Sequence, residues 1–151
     1  MSMLKRVRDI TMASLNDRLE RCEDPVRAID QYLYDLAEQI RQSESLRRQC
    51  ASHAEVMLRE YSEAGQLKLK REQQAVLALK VGEEELAKLA LQEKLQAEER
   101  EERYKALYDD SAASLSDVEE RLEQLQADYR EVAGKRSYYA ARLESARLQK
   151  R

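Results

Sequence analysis

The sequence is poor in the residues that break helices. Its 151 residues include no Trp, no Phe, three Gly and one Pro, whereas 38% of them are Asp, Glu, Lys or Arg. A globular fold with many turns needs more Gly and Pro than this. A composition dominated by Ala, Glu, Lys, Leu, Arg and Gln is typical of long helices and coiled coils. Such a chain buries only a narrow seam, so we expect its stability to depend on partner helices.

Membrane spans, secretion signals and disulfide frameworks are absent from the sequence. No run approaches the 18 or so apolar residues of a transmembrane helix. Residues 5–9 carry four charges where a signal peptide needs an apolar core. Cys22 and Cys50 lie far apart and match neither a disulfide framework nor a metal-ligand set. We therefore expect a soluble, cytoplasmic protein.

No combination of residues indicates catalysis. The sequence contains no Gly-rich phosphate loop, no Ser-His-Asp or Cys-His set and no metal-ligand cluster. His53 is the only histidine, and the acidic cluster at 98–102 is typical of a solvated helix face. The net charge of −3 is too small to favour nucleic acid. We predict a protein that is not an enzyme and holds no cofactor or metal.

Residues 2–21 form a short amphipathic segment. At about 100° per residue, Met3, Leu4, Val7, Ile10 and Leu15 fall on one helix face. The segment carries five basic residues against three acidic ones. Basic flanks and modest hydrophobicity are typical of a helix that lies in a membrane interface. The alternative is that this face packs on the rest of the chain or on a neighbouring subunit.

The pair Asp24-Pro25 marks the clearest boundary in the chain. Proline suits the first position of a helix, and aspartate suits the N-cap just before it. Residue 24 is also pushed away from helical angles by the proline that follows. The N-terminal helix should therefore end near Arg21, and a new helix should begin at Pro25.

A three-four repeat of mainly apolar residues then runs from Val26 to Ala78. It resumes at Ala87 and continues to Ala146, as a coiled-coil seam requires. Small seam residues cluster on both sides of the interruption and would allow two helices to approach closely. Cys50, which lies on this seam, is better explained by packing than by chemistry.

The interruption centres on Gly82, which can adopt the left-handed conformation that ends a helix. The carboxylates after it would lie in the first turn of the next helix, where the helix dipole favours negative charge. The alternative is one continuous helix in which the glycine costs about 1 kcal/mol. We predict a hairpin turn at Val81, Gly82, Glu83, Glu84 and Glu85.

Charge supports antiparallel pairing about Gly82. With this pivot, the basic residues at 68–71 lie beside the acidic stretch 93–102. The acidic residues at 23–30 likewise lie beside the basic residues at 130–136. Exposed ion pairs contribute about 0–1 kcal/mol each, so they select register and orientation more than they stabilise.

Three stretches in this order resemble the phage-shock-protein A family. That family includes the vesicle-inducing plastid proteins and LiaH-like stress proteins, and it belongs to the bacterial ESCRT-III superfamily. The stretches are MLKRVRDI at 3–10, EDP at 23–25 with IDQYLYDL at 29–36, and ALKVGEEELAKLAL at 78–91. Each is weakly specific alone, and the three at these spacings are fairly specific.

The resemblance implies an all-α fold: a membrane-binding amphipathic helix (1–22) and then a long antiparallel helical hairpin, or coiled coil (23–151). The hairpin comprises a helix at 25–80, a turn near 82 and a helix at 84–151. The resemblance also implies a scaffold of the envelope stress response that polymerises and supports or remodels membranes. It favours the membrane interpretation of the first helix, with contacts from Met3, Leu4, Lys5, Arg6, Val7, Arg8, Ile10 and Leu15.

The implied partners are further copies of the chain and the anionic inner face of the cell membrane. An AAA+ transcriptional activator or a small membrane protein is also implied as a possible partner. We expect no nucleic-acid partner. Two alternatives are a soluble regulator that binds a protein partner through the hairpin and a coiled-coil spacer without lipid affinity. Family members usually continue with further helices beyond the point where this chain stops. We therefore expect a truncated form or a different mode of assembly.

Overall fold

The computed structural model describes residues 14–150, and they are almost entirely helical. The described part of helix α1 comprises residues 14–21, α2 is Pro25–Lys80 (56 residues) and α3 is Glu84–Gln149 (66 residues). No strand occurs between residues 14 and 150. The helices α2 and α3 pack against each other as a hairpin that α1 precedes. The predicted all-α hairpin fold is confirmed.

The bounds of α2 coincide with the predicted range 25–80, and α3 begins at the predicted residue 84. The C-terminal bound differs, because α3 ends at Gln149 rather than at residue 151. The last carbonyls of a helix have no intrahelical partners, so the position of a helix end varies by one or two residues. Lys150 lies in a turn, and Arg151 lies outside the described residues.

The chain divides into two compact units. We call Met1–Gln42 with Leu122–Arg151 the open-end unit, and Ser43–Arg121 the turn unit. The described part of the open-end unit contains α1, the start of α2 and the end of α3. The turn unit contains the rest of α2 and α3 and the connection between them.

Large apolar side chains form the core of the open-end unit. Ile29 of α2 and Val132 of α3 are completely buried, and Leu36, Leu125 and Tyr139 are nearly so. Further apolar side chains of α2 pack against this cluster while keeping part of their surface exposed. They are Val26, Ala28, Tyr32, Leu33 and Ile40.

Small side chains dominate the buried seam of the turn unit. Seven alanines and two serines are buried there, and no residue larger than these is. They are Ser43, Ala54, Ala64, Ala75, Ala78, Ala87, Ala90, Ala97 and Ser111. Because only methyl and hydroxymethyl side chains are buried between them, α2 and α3 can approach closely in this unit.

Candidate functional site

The predicted membrane contacts fall only partly within the described residues. Leu15 is the one such contact that the structure describes, and its side chain is 7% exposed. It packs on the hairpin, as the packing alternative predicts for the segment. The others lie outside the described residues: Met3, Leu4, Lys5, Arg6, Val7, Arg8 and Ile10.

Two leucines one helical turn apart dock α1 onto the hairpin. Leu15 and Leu19 belong to the same buried cluster as Ile29 of α2 and Val132 and Tyr139 of α3. Leu19 is 2% exposed and is among the largest fully buried side chains. The amphipathic analysis did not include it. Its i, i+4 spacing from Leu15 is the signal that would have identified it.

Polar contacts flank the docked leucines. Lys135 Nζ donates to Asn16 Oδ1 at 2.5 Å, and the Tyr139 hydroxyl donates to Glu20 Oε1 at 3.0 Å. Arg142 Nη1 lies 3.9 Å from Glu20 Oε2. Burial, reinforced by the bond to the Glu20 carboxylate, raises the pKa of Tyr139. The phenol therefore remains a donor to Glu20 at neutral pH.

The start of α2 is capped as the Asp24-Pro25 pair predicts. Asp24 Oδ1 accepts from the Arg27 backbone N–H at 3.1 Å, and the Asp24 carbonyl accepts from the Ala28 N–H at 3.3 Å. The side chain thus satisfies one of the N–H groups that a helix leaves without a partner in its first turn. The cap separates α2 from α1 and fixes where the hairpin begins.

The connection between α2 and α3 is a Schellman turn centred on Gly82. Gly82 has φ of 78°, its N–H donates to the Leu79 carbonyl at 3.2 Å, and the Glu83 N–H donates to the Ala78 carbonyl at 2.8 Å. These bonds close the end of α2. The Ala87 N–H donates to the Glu83 carbonyl at 3.0 Å, which starts the next helix.

The acidic residues of the turn lie where the dipole of α3 favours them. Glu84 and Glu85 occupy the first turn of α3, close to its N-terminal N–H groups. Glu83 precedes them, and all three residues are exposed. The turn therefore presents negative charge to solvent.

Exposed apolar side chains surround this turn. Leu77, Val81, Leu86 and Leu89 line an open groove of about 740 Å³. Val81 is 75% exposed, more than any other large hydrophobic residue of the described part. The exposure of these side chains depends on how α2 meets α3 at the reversal.

Ion pairs cross the hairpin within the turn unit. Lys68 Nζ lies 3.0 Å from Glu101 Oε1, and Arg71 Nε lies 2.7 Å from Glu93 Oε2. Both pairings are those that a pivot at Gly82 predicts. Two further pairs run in the opposite sense, with the acidic partner on α2. They are Glu60 with Arg100 at 3.0 Å and Glu72 with Lys94 at 3.8 Å.

An ion pair joins α2 and α3 in the open-end unit. Arg136 Nε donates to Asp30 Oδ1 at 2.5 Å, and Nη2 donates to Oδ2 at 3.3 Å. The guanidinium lowers the pKa of the Asp30 carboxyl, chiefly through the hydrogen bond. This forked contact is the pairing predicted between the acidic start of the first long helix and the basic end of the second.

No span or metal site is found in the part of the chain that the structure describes. Between residues 14 and 150, no helix is long and apolar enough to cross a membrane. Within the same range, no group of three or more His, Cys, Asp or Glu side chains could hold a metal ion. His53 is exposed, and Cys22 and Cys50 are unpaired thiols.

Comparison with known proteins gives a family match over nearly the whole sequence. Residues 2–151 match the model described as the PspA/IM30 family. The chain is 33% identical over 145 residues to Protein LiaH of Bacillus subtilis (strain 168), covering 96% of this chain and 64% of that protein. It is 26% identical over 149 residues to the Membrane-associated protein Vipp1 of Nostoc punctiforme. That similarity covers 99% of this chain and 58% of Vipp1.

A Phage shock protein A homolog of Bacillus subtilis (strain 168) is 25% identical over 151 residues. That similarity covers the whole of this chain and 66% of the homolog. The chain therefore spans less than two thirds of the length of each of these relatives.

Proposed function

The chain belongs to the PspA/IM30 family, and from that premise we propose that it is a membrane-associated, self-assembling scaffold. Its role is in the bacterial envelope stress response, where it binds membranes and protects or remodels them. It acts from the cytoplasm, as a peripheral protein on the inner face of the cell membrane. The observation that carries the proposal is the basic amphipathic segment 2–21 at the start of a family hairpin, and one relative is named a membrane-associated protein.

The lipid contact is the apolar face of residues 2–21. Burial of its side chains at the headgroup boundary yields several kcal/mol, at about 25 cal/mol per Å² of apolar area. Each basic flanking residue adds about 1 kcal/mol on an anionic leaflet. Ordering the segment offsets much of this gain, so one copy binds weakly. The contacts are Met3, Leu4, Lys5, Arg6, Val7, Arg8, Ile10 and Leu15.

Self-assembly converts weak contacts into firm attachment. Many copies on one polymer raise the effective concentration of each segment at the bilayer. The turn unit supplies uncovered apolar surface for neighbouring hairpins, including Leu58, Leu91, Leu95 and Leu107. The exposed carboxylates at 83–85 complement the basic residues at 142–150 of another copy. The scaffold is therefore built from contacts between hairpins.

Vesicle sedimentation tests the lipid contact. Val7→Asp or Ile10→Asp places a charge in the proposed apolar face, and we expect either change to abolish binding to anionic vesicles. Val56→Asp is the matched control, because Val56 is already exposed on α2. Circular dichroism checks that the hairpin stays folded. Unchanged binding after deletion of residues 2–21 would contradict the proposal.

Light scattering tests self-assembly. We expect association that weakens as salt rises, because charges separated by more than about 8–10 Å are screened at physiological ionic strength. Replacing Glu83, Glu84 and Glu85 by Gln should weaken it at low salt. A strict monomer at every protein concentration would contradict assembly of this chain.

A second candidate function is regulation of an AAA+ activator through α2. Tyr34 is 67% exposed, with Gln31 and Asp35 exposed and Glu38 partly exposed beside it. An exposed tyrosine among polar groups resembles the anchors of protein interfaces. Affinity capture from the source cell, followed by mass spectrometry, tests this function. Capture of an AAA+ ATPase should be lost in Tyr34→Ala and kept in Tyr138→Ala, which alters an exposed tyrosine of α3.

A further inference from the structure

The docked position of α1 conflicts with the membrane contact proposed for the same segment. Leu15 belongs to the proposed lipid face, yet it is buried against α2 and α3. We propose that α1 is a latch: the open-end unit holds residues 14–21 docked, and the chain binds anionic membranes fully only when α1 is released. This inference rests on the proposed lipid contact of residues 2–21.

The apolar half of the latch is the burial of Leu15 and Leu19. Both side chains lie in the cluster built around Ile29, Val132 and Tyr139. Leu19 is 2% exposed, nearly as well covered as Ile29 and Val132 at the centre of the hairpin core. Contact of this quality gives the docked state a defined geometry rather than a loose association.

The polar half of the latch is a ladder of contacts between α1 and α3. Asn16 and Glu20 are one turn apart on α1, and they meet Lys135 and Tyr139, one turn apart on α3. Arg142 reaches the second oxygen of Glu20. Matched i, i+4 spacing on both helices fixes the register in which α1 docks.

The docked and membrane-bound states exclude each other at Leu15. A side chain buried in this cluster cannot enter a bilayer, so the membrane binds only the released form through Leu15. A ligand that binds one of two states shifts the population toward that state. The apparent affinity for vesicles is reduced by the fraction of chains that remain docked. The more stable the docked state is, the stronger the attraction to a membrane surface must be before the chain binds it.

An anionic surface favours release on electrostatic grounds. Lys135 and Arg142 contact α1 in the docked state. Phosphate headgroups compete for these cations, and they repel the Glu20 carboxylate that the cations hold. The basic groups of the latch thus respond to the negative surface to which residues 2–21 bind.

Weakening the latch without disturbing the core tests the inference. Tyr139→Phe removes the hydroxyl that donates to Glu20 and keeps the ring in the cluster. We expect the partition onto anionic vesicles to rise about two- to tenfold, since one hydrogen bond changes the docking equilibrium by that factor. The matched control is Asp30→Asn, which removes the negative charge from an ion pair between α2 and α3 in the same unit. It should leave the partition unchanged.

Locking the latch tests the opposite direction. Asn16→Cys and Lys135→Cys are introduced with Cys22→Ser and Cys50→Ser, and the new thiols are joined by a bismaleimide whose spacer contains a disulfide. We expect the joined protein to partition at least tenfold less onto anionic vesicles than the same protein after the spacer is reduced. Spin labels at Arg18→Cys and Tyr138→Cys, in the same cysteine-free background, should move apart when anionic vesicles are added.

The outcomes separate the latch from the proposed function. If deletion of residues 2–21 abolishes vesicle binding but locking changes nothing, the latch is wrong and the lipid contact stands. If the deletion leaves binding unchanged, both are wrong. A label separation that does not change on vesicles to which the chain has bound would also overturn the latch.

Discussion

The two units hold the same pair of helices together with different side chains. In the open-end unit, branched and aromatic residues such as Ile29, Val132 and Tyr139 fill the interface. In the turn unit, alanine and serine occupy the equivalent positions, and four ion pairs cross between the helices. Burying a large apolar side chain stabilises by about 1.5–3 kcal/mol, whereas an exposed ion pair contributes about 0–1 kcal/mol. The open-end unit should therefore supply more of the stability.

The difference extends to the surface. Most of the exposed Leu and Val side chains between residues 14 and 150 belong to the turn unit. A narrow alanine seam leaves larger apolar residues exposed on the outside of the turn unit. The open-end unit instead covers its own apolar face with α1. On the proposed function, assembly is the task of the turn unit, and control of membrane contact is the task of the open-end unit.

The largest expected effect comes from opening a cavity in the open-end unit. Ile29→Ala removes most of a fully buried side chain, and we expect it to lower the free energy of unfolding by about 2–5 kcal/mol. Urea denaturation followed by circular dichroism measures the loss. Leu58→Ala, at an exposed position of the same helix, should change it by less than about 0.5 kcal/mol. Equal effects would contradict the core assigned to this unit.

The alanine seam should be destabilised by a larger side chain rather than by a smaller one. Ala75 is 2% exposed between the helices of the turn unit, so Ala75→Leu should lower the free energy of unfolding by about 1–3 kcal/mol. Ala51→Leu on the exposed face of α2 is the control and should be nearly neutral. If Ala75→Leu stabilises the protein, the helices are not in close contact there.

Local features of the sequence predicted the hairpin. The glycine at 82, the Asp24-Pro25 pair and the apolar repeat each act over a few residues, so each can be interpreted without knowing the fold. The repeat was less reliable over long distances. The three-four repeat of the sequence passes through Arg47 and Tyr129, yet both residues are exposed. A helix with 3.6 residues per turn drifts from a strict seven-residue repeat, so single positions leave the seam.

The docking of α1 could not be predicted in the same way. The contact of Glu20 with Tyr139 joins residues 119 positions apart, and no local pattern relates them. The amphipathic face of residues 2–21 suits a bilayer and a helical hairpin equally, because both accept apolar side chains. Only the packing of Leu15 and Leu19 distinguishes the two uses, and that packing depends on where α3 lies.

Alkaline pH should affect the tyrosines of the open-end unit. Burial, assisted by the charge of Asp128, raises the pKa of Tyr32 above its ordinary value of 10.0. In the unfolded chain the phenol ionises near 10, so the stability it contributes is present below that pH and is lost as pH rises through the folded pKa. Tyr32→Phe should therefore lose less stability above pH 10 than the unaltered protein.

Urea midpoints measured at neutral pH and above pH 10 test this. Tyr34→Phe is the control, because Tyr34 is exposed on the same helix, and it should keep the pH dependence of the unaltered protein. The same alkaline loss in Tyr32→Phe and in the unaltered protein would show that burial of this phenol does not matter.

The smallest effect is expected at Gly65, which lies beside an ion pair between α2 and α3. A Cβ at this position would lie 2.6 Å from Glu101 Oε2, whose partner oxygen accepts from Lys68. Gly134 is the matched control, since nothing lies within 4 Å of a Cβ built there. Gly134→Ala should stabilise the protein by about 0.5–1 kcal/mol through helix propensity alone. Gly65→Ala should gain less, because the carboxylate must move away from Lys68.

A double-mutant cycle with Lys68→Met and Glu101→Gln measures the coupling of the pair. We expect a favourable coupling that weakens at high salt and falls toward zero in the Gly65→Ala background, while Gly134→Ala leaves it unchanged. Such a result would show that the absence of a side chain at Gly65 leaves room for an ion pair in the turn unit. In the open-end unit, by contrast, large side chains fill the space between the helices. Equal gains from the two alanines, with the coupling intact in both, would mean that the close approach at Gly65 has no energetic consequence.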